Sequence, residues 1–143
     1  MNKEIFNTQF EYMLRTICIL TEVEKSITLE KILYIDFISS YGKSFGLFPA
    51  NLHGENSFKF SEFPIRRERI QEALKRLVID KYVLVKFQKS GIKYMISKKG
   101  QNLKQSLNDN YSINLCKIIN QLKQYKESEL KNIINKKLLG EGK

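Results

Sequence analysis

The part of this chain that most constrains its fold is residues 29–41, which are apolar nearly all the way round a helix. A helix of this kind is expected to be buried on two sides by other elements of the fold. Thr28 has a side chain suited to a helix N-cap, so we expect the helix to begin directly after it. We therefore predict that this segment is a buried helix of the core.

Beyond its first turn, this apolar helix contains one charged residue, Asp36. A buried carboxylate needs a positively charged or hydrogen-bonding partner. The partners that we favour are Arg66 and Arg67, at the start of the next predicted helix. We predict a structural ion pair for Asp36 in preference to a role in acid–base chemistry.

Hydrophobic periodicity and turn residues divide the remainder into helices and one hairpin. The predicted helices cover residues 8–23, 64–80, 98–108 and 113–138, and the predicted strands cover residues 82–87 and 92–97. Three helices followed by a hairpin is the order of a winged helix-turn-helix, in which the hairpin is the wing. We therefore predict a mainly α fold with a small β-hairpin, organised as a winged-helix domain over residues 1–108 and a C-terminal amphipathic helical extension over residues 109–143.

Residues 42–63 form the longest predicted loop, with three glycines, one proline and five phenylalanines. So many aromatic residues are not typical of a disordered linker, so we expect an ordered insert loop that packs on the domain. The single histidine of the chain, His53, lies in this loop. It is either a structural or exposed residue, or a residue that takes part in binding.

The C-terminal extension carries an apolar stripe at helical spacing. Its members include Leu115, Ile119, Leu122 and Ile133. A long helix does not keep such a face in water, so we expect the stripe to form an interface. The interface is with the chain's own domain, with a second copy or with a partner.

The formal net charge of +10 resides in the second half of the chain. Residues 1–80 hold eleven basic and eleven acidic residues, whereas residues 81–143 hold fourteen lysines and four acidic residues. This asymmetry favours a nucleic acid or another acidic partner. The alternative is that the lysines are solvated surface residues typical of a protein from an AT-rich genome.

Five lysines lie on the predicted hairpin or directly after it. They are Lys86, Lys89, Lys93, Lys98 and Lys99. Lysine is a point charge, so this cluster predicts contact with a DNA backbone without reading of the bases. An ordinary solvated hairpin is the alternative.

The outer side of the third predicted helix carries Glu68, Glu72 and Lys75, flanked by Arg69 and Arg76. A helix that reads bases in the major groove presents mainly Arg, Asn, Gln or Ser there. Two glutamates would instead repel phosphate. The pattern therefore argues against sequence-specific DNA reading by this helix.

Catalytic motifs are absent from the sequence. It has one histidine, no metal-ligand spacing and no phosphate-binding glycine motif, so we predict no catalytic residue, metal or cofactor. Cys18 and Cys116 lie in apolar helical patterns and are expected to be buried without a disulfide. The chain has no stretch of eighteen apolar residues and no secretory leader, so we expect a cytoplasmic protein that does not enter the membrane.

Several short pieces of the chain follow one another in a characteristic order and spacing. They are Leu33-Tyr34-Ile35-Asp36, Asn51-Leu52-His53, Arg66-Arg67, Ala73-Leu74 with Leu77, Tyr82-Val83 and Gly91-Ile92-Lys93-Tyr94. In this order, residues 29–100 resemble the middle component of bacterial ABC-three-component defence systems, the group that includes Lamassu-type anti-phage and anti-plasmid systems. Many members follow the Leu-His pair with prolines, whereas Gly54 and Glu55 follow it here, and residues after about 108 lie outside the resemblance.

The resemblance implies a non-catalytic accessory subunit that bridges an SMC-like or Rad50-like ABC ATPase and an effector, often a nuclease, in a DNA-sensing complex. ATP binding and DNA cleavage would belong to the complex, and this chain would contact the DNA backbone as part of it. On this reading, we hypothesise that the loop over residues 42–63 and a cluster of five side chains set the docking surface. The cluster consists of Tyr34, Asp36, His53, Arg66 and Arg67.

Three other functions compete with this reading. The main rival is a free-standing winged-helix transcription regulator, which would dimerise through its C-terminal helix and read a palindrome. The acidic outer side of the third helix disfavours it. The others are an enzyme, and a toxin–antitoxin or phage accessory protein of the same fold.

Overall fold

A computed structural model describes residues 8–41 and 62–141 of the chain, with side chains described as far as residue 136. These residues form six helices and one two-stranded antiparallel sheet, so the predicted mainly α fold with a small hairpin is confirmed. The elements are α1 Gln9–Val23, α2 Leu29–Ser40, α3 Glu62–Ile79, β1 Val83–Gln88, β2 Gly91–Ile96, α4 Lys98–Gln105, α5 Asn110–Leu122 and α6 Glu127–Glu141.

Threonine caps begin the first two helices. The hydroxyl of Thr8 accepts a hydrogen bond from the backbone N–H of Glu11 at 3.2 Å, and that of Thr28 accepts from Lys31 at 3.1 Å. Each bond satisfies one of the N–H groups that a first helical turn leaves without a partner. The predicted N-cap at Thr28 is confirmed.

Helix α2 is the central element of the fold. Ten successive residues, Lys31–Ser40, are buried, and the helix contacts α1, α3, α5, α6 and β2. The sequence predicted that this helix is buried on two sides, and the structure covers it on more sides than that. The chain therefore wraps its other helices around α2.

Helix α3 begins at Glu62, two residues before the predicted start at residue 64. Pro64 lies within the first turn, where its missing N–H costs no hydrogen bond. The ring of Phe63 packs edge-on against Phe37, with ring centroids 5.0 Å apart. The predicted loop over residues 42–63 was therefore wrong at its C-terminal end, and the rest of it, with His53, lies outside the described residues.

The hairpin pairs β1 with β2 in one register, from Val83 opposite Ile96 to Gln88 opposite Gly91. A single residue before α2 extends this sheet, because Ile27 and Tyr94 exchange two backbone hydrogen bonds of 2.9 and 2.8 Å. The hairpin is thereby tied to the α1–α2 connection at its base.

The C-terminal part forms two helices, so the prediction of one helix over residues 113–138 was wrong. A straight helix of that length would extend about 39 Å, beyond the short helices it covers. The chain breaks at residues 123–126, and α6 restarts where the side chain of Glu129 accepts from the backbone N–H of Lys126 at 2.7 Å. This break lets α5 pack mainly on α1 while α6 packs on α2.

The apolar stripe predicted as a tail interface lies against the chain's own first two helices. Leu115, Ile119 and Leu122 are buried, and Ile133 is half-buried and packs against the same core. On the rim of this contact, the side-chain amide of Asn120 donates to the Glu22 carboxylate at 2.7 Å. The interface that this stripe forms is therefore internal to the chain.

Replacing Ile119 by Ala should destabilise the whole chain, because its side chain is fully buried between α5 and the first two helices. We expect a loss of about 2–5 kcal/mol in the free energy of unfolding, measured by urea denaturation. Ile113→Ala, on the exposed side of α5, is the matched control and should change it by less than about 1 kcal/mol. Equal effects of the two substitutions would contradict the internal packing of α5.

Candidate functional site

A buried ion cluster joins the first three helices. The Asp36 carboxylate of α2 accepts from Arg15 Nε of α1 and from Arg66 Nη1 of α3, each at 2.6 Å. All three side chains are almost fully buried. The predicted pair between Asp36 and Arg66 is confirmed, whereas Arg67 is not a partner of Asp36.

Arg15 is the member of the cluster that sequence reasoning missed as a partner. It interrupts the apolar pattern of α1, and an arginine at such a position indicates a buried ion pair as much as a solvated side chain. Burial lowers the pKa of Arg15, but the charge and hydrogen bond of the Asp36 carboxylate, together with Tyr111 and Tyr12, raise it, and the pKa is raised overall. The guanidinium therefore stays charged in the interior.

Serine hydroxyls and aromatic rings complete the surroundings of the cluster. Ser40 Oγ accepts from Arg66 Nη1 at 3.2 Å and donates to the backbone carbonyl of Asp36 at 2.8 Å. The guanidinium carbon of Arg15 lies 4.4 Å from the centroid of the Tyr12 ring, and that of Arg66 lies 5.4 Å from the centroid of Tyr41. These contacts offset part of the cost of removing two guanidinium groups from water.

The tyrosines at the edge of the cluster are held in their neutral form. Burial, together with the hydrogen bond that its hydroxyl donates to Glu62 Oε2 at 2.6 Å, raises the pKa of Tyr41 to about 12. Burial also raises the pKa of Tyr111 to about 12. Both hydroxyls therefore remain protonated near neutral pH, which suits a structural role.

Replacing Asp36 by Asn should strongly destabilise the fold, because two buried guanidinium groups would lose their counter-charge. We expect a loss of about 3–5 kcal/mol in the free energy of unfolding, measured by urea denaturation. Asp80→Asn, which breaks the exposed ion pair between Arg76 and Asp80 on α3, is the control. That change should cost less than about 1 kcal/mol, and an equally small loss for Asp36→Asn would show that the buried cluster is dispensable.

Four of the five residues of the predicted docking cluster are described, and they lie in different surroundings, whereas His53 lies outside the described residues. Asp36 and Arg66 are inside the chain, and Tyr34 is buried with its ring stacked on Phe63 at a centroid distance of 6.1 Å. Arg67 is exposed on α3 and forms an ion pair with Glu30 at the start of α2. Arg67 is therefore the exposed charge of this cluster within the described residues.

The hairpin presents two different faces, because successive strand residues point to opposite sides. Lys86 and Lys93 are cross-strand partners on one face, and like charges placed directly opposite each other destabilise a sheet. Lys86 and Lys89 are exposed, and Lys93 is half-buried. The arrangement places positive charge on the side of the hairpin that carries Leu84 and Met95.

The two lysines after the hairpin have different surroundings. Both are exposed in the first turn of α4. Lys99 Nζ donates to the backbone carbonyl of Asp80 at 2.8 Å and lies 4.4 Å from the centroid of the Tyr82 ring. Lys99 therefore helps to hold α4 against the end of α3. Among the described residues, Lys98 forms neither a side-chain hydrogen bond nor a contact with an aromatic ring.

The two cysteines lie together between α1 and α5, and both are free. A hydrogen bond between their thiols raises the pKa of Cys18 and lowers that of Cys116. Cys18 is buried as predicted, whereas Cys116 is half-buried, so the prediction of burial was wrong for Cys116. Its position near the rim of the α1–α5 contact leaves part of its side chain in water.

Residues 8–41 and 62–141 contain no group of three or more His, Cys, Asp or Glu side chains placed to share a metal ion. Across the same residues, no helix combines the length and the apolar character that crossing a membrane requires.

The fold and the ion cluster together describe a small, mainly helical protein whose buried charges serve its own packing. A family model for ABC-three component (ABC-3C) system Middle Component 2 matches residues 5–142, and the chain belongs to this family. No curated protein and no solved structure shows a significant match to the chain. A middle component of a three-component system has the other components of that system as its partners.

The family match is longer than the resemblance over residues 29–100, so the earlier limit near residue 108 was wrong. Helices α5 and α6 fall within the matched residues. Their apolar side chains complete the core around α1 and α2. The family unit therefore includes the C-terminal helices as well as the first three helices and the hairpin.

Proposed function

We propose that this protein is a non-catalytic accessory subunit that bridges an SMC-like or Rad50-like ABC ATPase and an effector, a nuclease, in a DNA-sensing bacterial defence complex. The observation that carries the proposal is the family match, which covers residues 5–142. In this proposal the complex acts in the cytoplasm against phages or plasmids, as in Lamassu-type systems. The accessory subunit provides contacts, and its partners provide the chemistry.

The burial of Asp36 between two arginines supports a non-catalytic role. Asp36, the carboxylate buried in α2, is enclosed by two arginines inside the core. A catalytic carboxylate has to reach a substrate, and the Asp36 side chain is only 2% exposed. This arrangement favours a scaffold for docking over an active site.

The order of elements supports a winged helix-turn-helix as the fold of the first part of the chain. Helices α1, α2 and α3 precede the hairpin, and the bridge between Ile27 and Tyr94 ties the hairpin to the α1–α2 connection. In such a fold α3 occupies the position of the recognition helix. Its exposed Glu68 and Glu72 disfavour phosphate contact by this helix, which favours a winged helix used for protein contacts.

Arg67, which forms an exposed ion pair with Glu30, is the member of the predicted docking cluster that we place at a partner interface. Both side chains are partly exposed, at 45% and 35%, and they lie where α3 meets the start of α2. An arginine that a partner desolvates contributes more to binding than it does as an exposed ion pair.

Charge reversal of Arg67 should weaken assembly of the complex. The protein is co-expressed with the ATPase and effector encoded beside it, one subunit is tagged, and the recovered stoichiometry is measured. Wild type should co-purify with both partners, and Arg67→Glu should lower the affinity about tenfold or more, which corresponds to about 1.4 kcal/mol.

Arg69→Glu, an identical charge change at an exposed site on the same helix, is the matched control and should assemble normally. The thermal midpoint of each variant shows whether it is folded. Undiminished assembly of a folded Arg67→Glu variant would remove Arg67 from the interface. Recovery of the wild type alone, as a homodimer that selects one DNA sequence, would favour the transcription regulator and end the bridging proposal.

The hairpin face that carries Lys86 and Lys93 supports a second role within the same complex, which is contact with the DNA backbone. Replacing Lys86 and Lys93 by Ser should weaken DNA binding by the assembled complex. It should also reduce the slope of log affinity against log salt concentration by about 1.8, because each lost phosphate contact contributes about 0.9.

The matched control replaces two exposed lysines of the C-terminal helices, Lys117 and Lys131, by Ser. This variant removes the same net charge and should keep the wild-type slope. Equal slopes for the wild type and the hairpin variant would exclude phosphate contact by this face.

A further inference from the structure

A groove of about 650 Å³ separates the outer side of α3 from one face of the hairpin. Its floor is apolar and its α3 side is charged. The lining residues include Glu68, Glu72, Val78, Ile79, Val85 and Tyr94. The face of the hairpin that borders this groove is opposite to the one that carries Lys86 and Lys93, because the two sets of residues alternate along the strands.

The apolar floor continues outward to the tip of the hairpin. Val85 pairs with Tyr94, and the next pair on the same face is Phe87 with Ile92. Phe87 is 80% exposed and Ile92 is 48% exposed, and Ile79 at the end of α3 is 66% exposed. Large apolar side chains grouped beside a groove, on a small protein, are typical of an interaction surface.

The charge beside this apolar surface has the opposite sign to that of the protein as a whole. Glu68 and Glu72 lie one helical turn apart, and neither forms an ion pair among the described residues. Two such glutamates repel each other, and Lys75 is the one basic side chain among the residues that line the groove. On a chain with a net charge of +10, this local excess of acid favours a basic partner and disfavours DNA.

We propose that this groove binds a basic amphipathic helix of a partner subunit. The apolar side of the helix covers Val85, Tyr94 and Phe87, and its lysines or arginines pair with Glu68 and Glu72. The glutamates are about 5–6 Å apart, which is the spacing of basic residues one turn apart on a helix lying alongside. The inference rests on the proposed bridging function and assigns the surface through which one partner docks.

The first experiment maps what touches the groove in the intact complex. A photo-reactive benzoylphenylalanine replaces Phe87, and the complex co-expressed with the neighbouring ATPase and effector is irradiated. We expect a crosslink to a lysine- or arginine-rich amphipathic helix of one of these subunits. A crosslink to DNA, to a second copy of this chain or to an acidic segment would overturn the proposal, as would the absence of any crosslink in an assembled complex.

The same photo-reactive residue at Phe10 is the control for position. Phe10 is 64% exposed on α1 and lies outside the groove. We expect a different crosslinked peptide there, or none. The same peptide from both positions would mean that the crosslink does not report on the groove.

The second experiment measures affinity for the partner that is crosslinked. Phe87→Ser and Glu72→Lys should each lower the affinity about tenfold, through loss of an apolar anchor and of a charge pair. The matched controls are Phe10→Ser and Glu24→Lys, which make the same changes at exposed positions outside the groove. They should stay within about twofold of wild type.

Charge reversal on the partner distinguishes the loss of a specific ion pair with Glu72 from misfolding of the Glu72→Lys variant. A glutamate in place of a basic residue of the crosslinked helix, chosen on the side that faces Glu72, should restore binding to Glu72→Lys and weaken binding to wild type. Failure of the wild-type complex to form would overturn the bridging function together with the groove. A complex that forms normally with Phe87→Ser and Glu72→Lys would overturn the groove alone.

Discussion

The ion cluster of Asp36 with Arg15 and Arg66 is the interaction on which the rest of the structure depends. It joins three helices through one carboxylate, and its members are separated by 21 and 30 residues along the chain. A buried carboxylate with two arginine partners admits few arrangements of those helices, because any displacement leaves a charge without compensation. The positions of α1 and α3 relative to α2 follow from it, and the hairpin and C-terminal helices build on that frame.

This frame leaves surfaces of different chemistry on the outside. The exposed side of α3 carries acidic residues and borders an apolar groove, whereas the opposite face of the hairpin carries Lys86 and Lys93. The buried charges of Asp36, Arg15 and Arg66 pair with one another, so the charges that a partner can contact are those on the surface. That division suits a family named as the middle component of a three-component system, in which more than one neighbour has to be accommodated.

Much of the local structure could be predicted from particular residues. Thr28 predicted where α2 begins, because its side chain caps the helix. The apolar residues on nearly all sides of α2 predicted that the helix is buried. The predictions that failed required knowledge of packing. Arg66 and Arg67 are adjacent in sequence and differ by about 100° around α3, so only the placement of α3 against α2 decides which one reaches Asp36. The break between α5 and α6 arises because each half packs mainly on a different helix.

The sequence by itself determined most of the helix and strand segments, that α2 is buried, and that the outer side of α3 carries Glu68 and Glu72. These properties depend on periodicity and capping, which act over a few residues. The tertiary structure alone decided that Arg15 completes the ion cluster, that the C-terminal stripe packs within the chain, and that Val85 and Tyr94 line a groove with Glu68 and Glu72 of α3. Those outcomes depend on contacts between distant residues, whose geometry exists only once the helices have packed around Asp36.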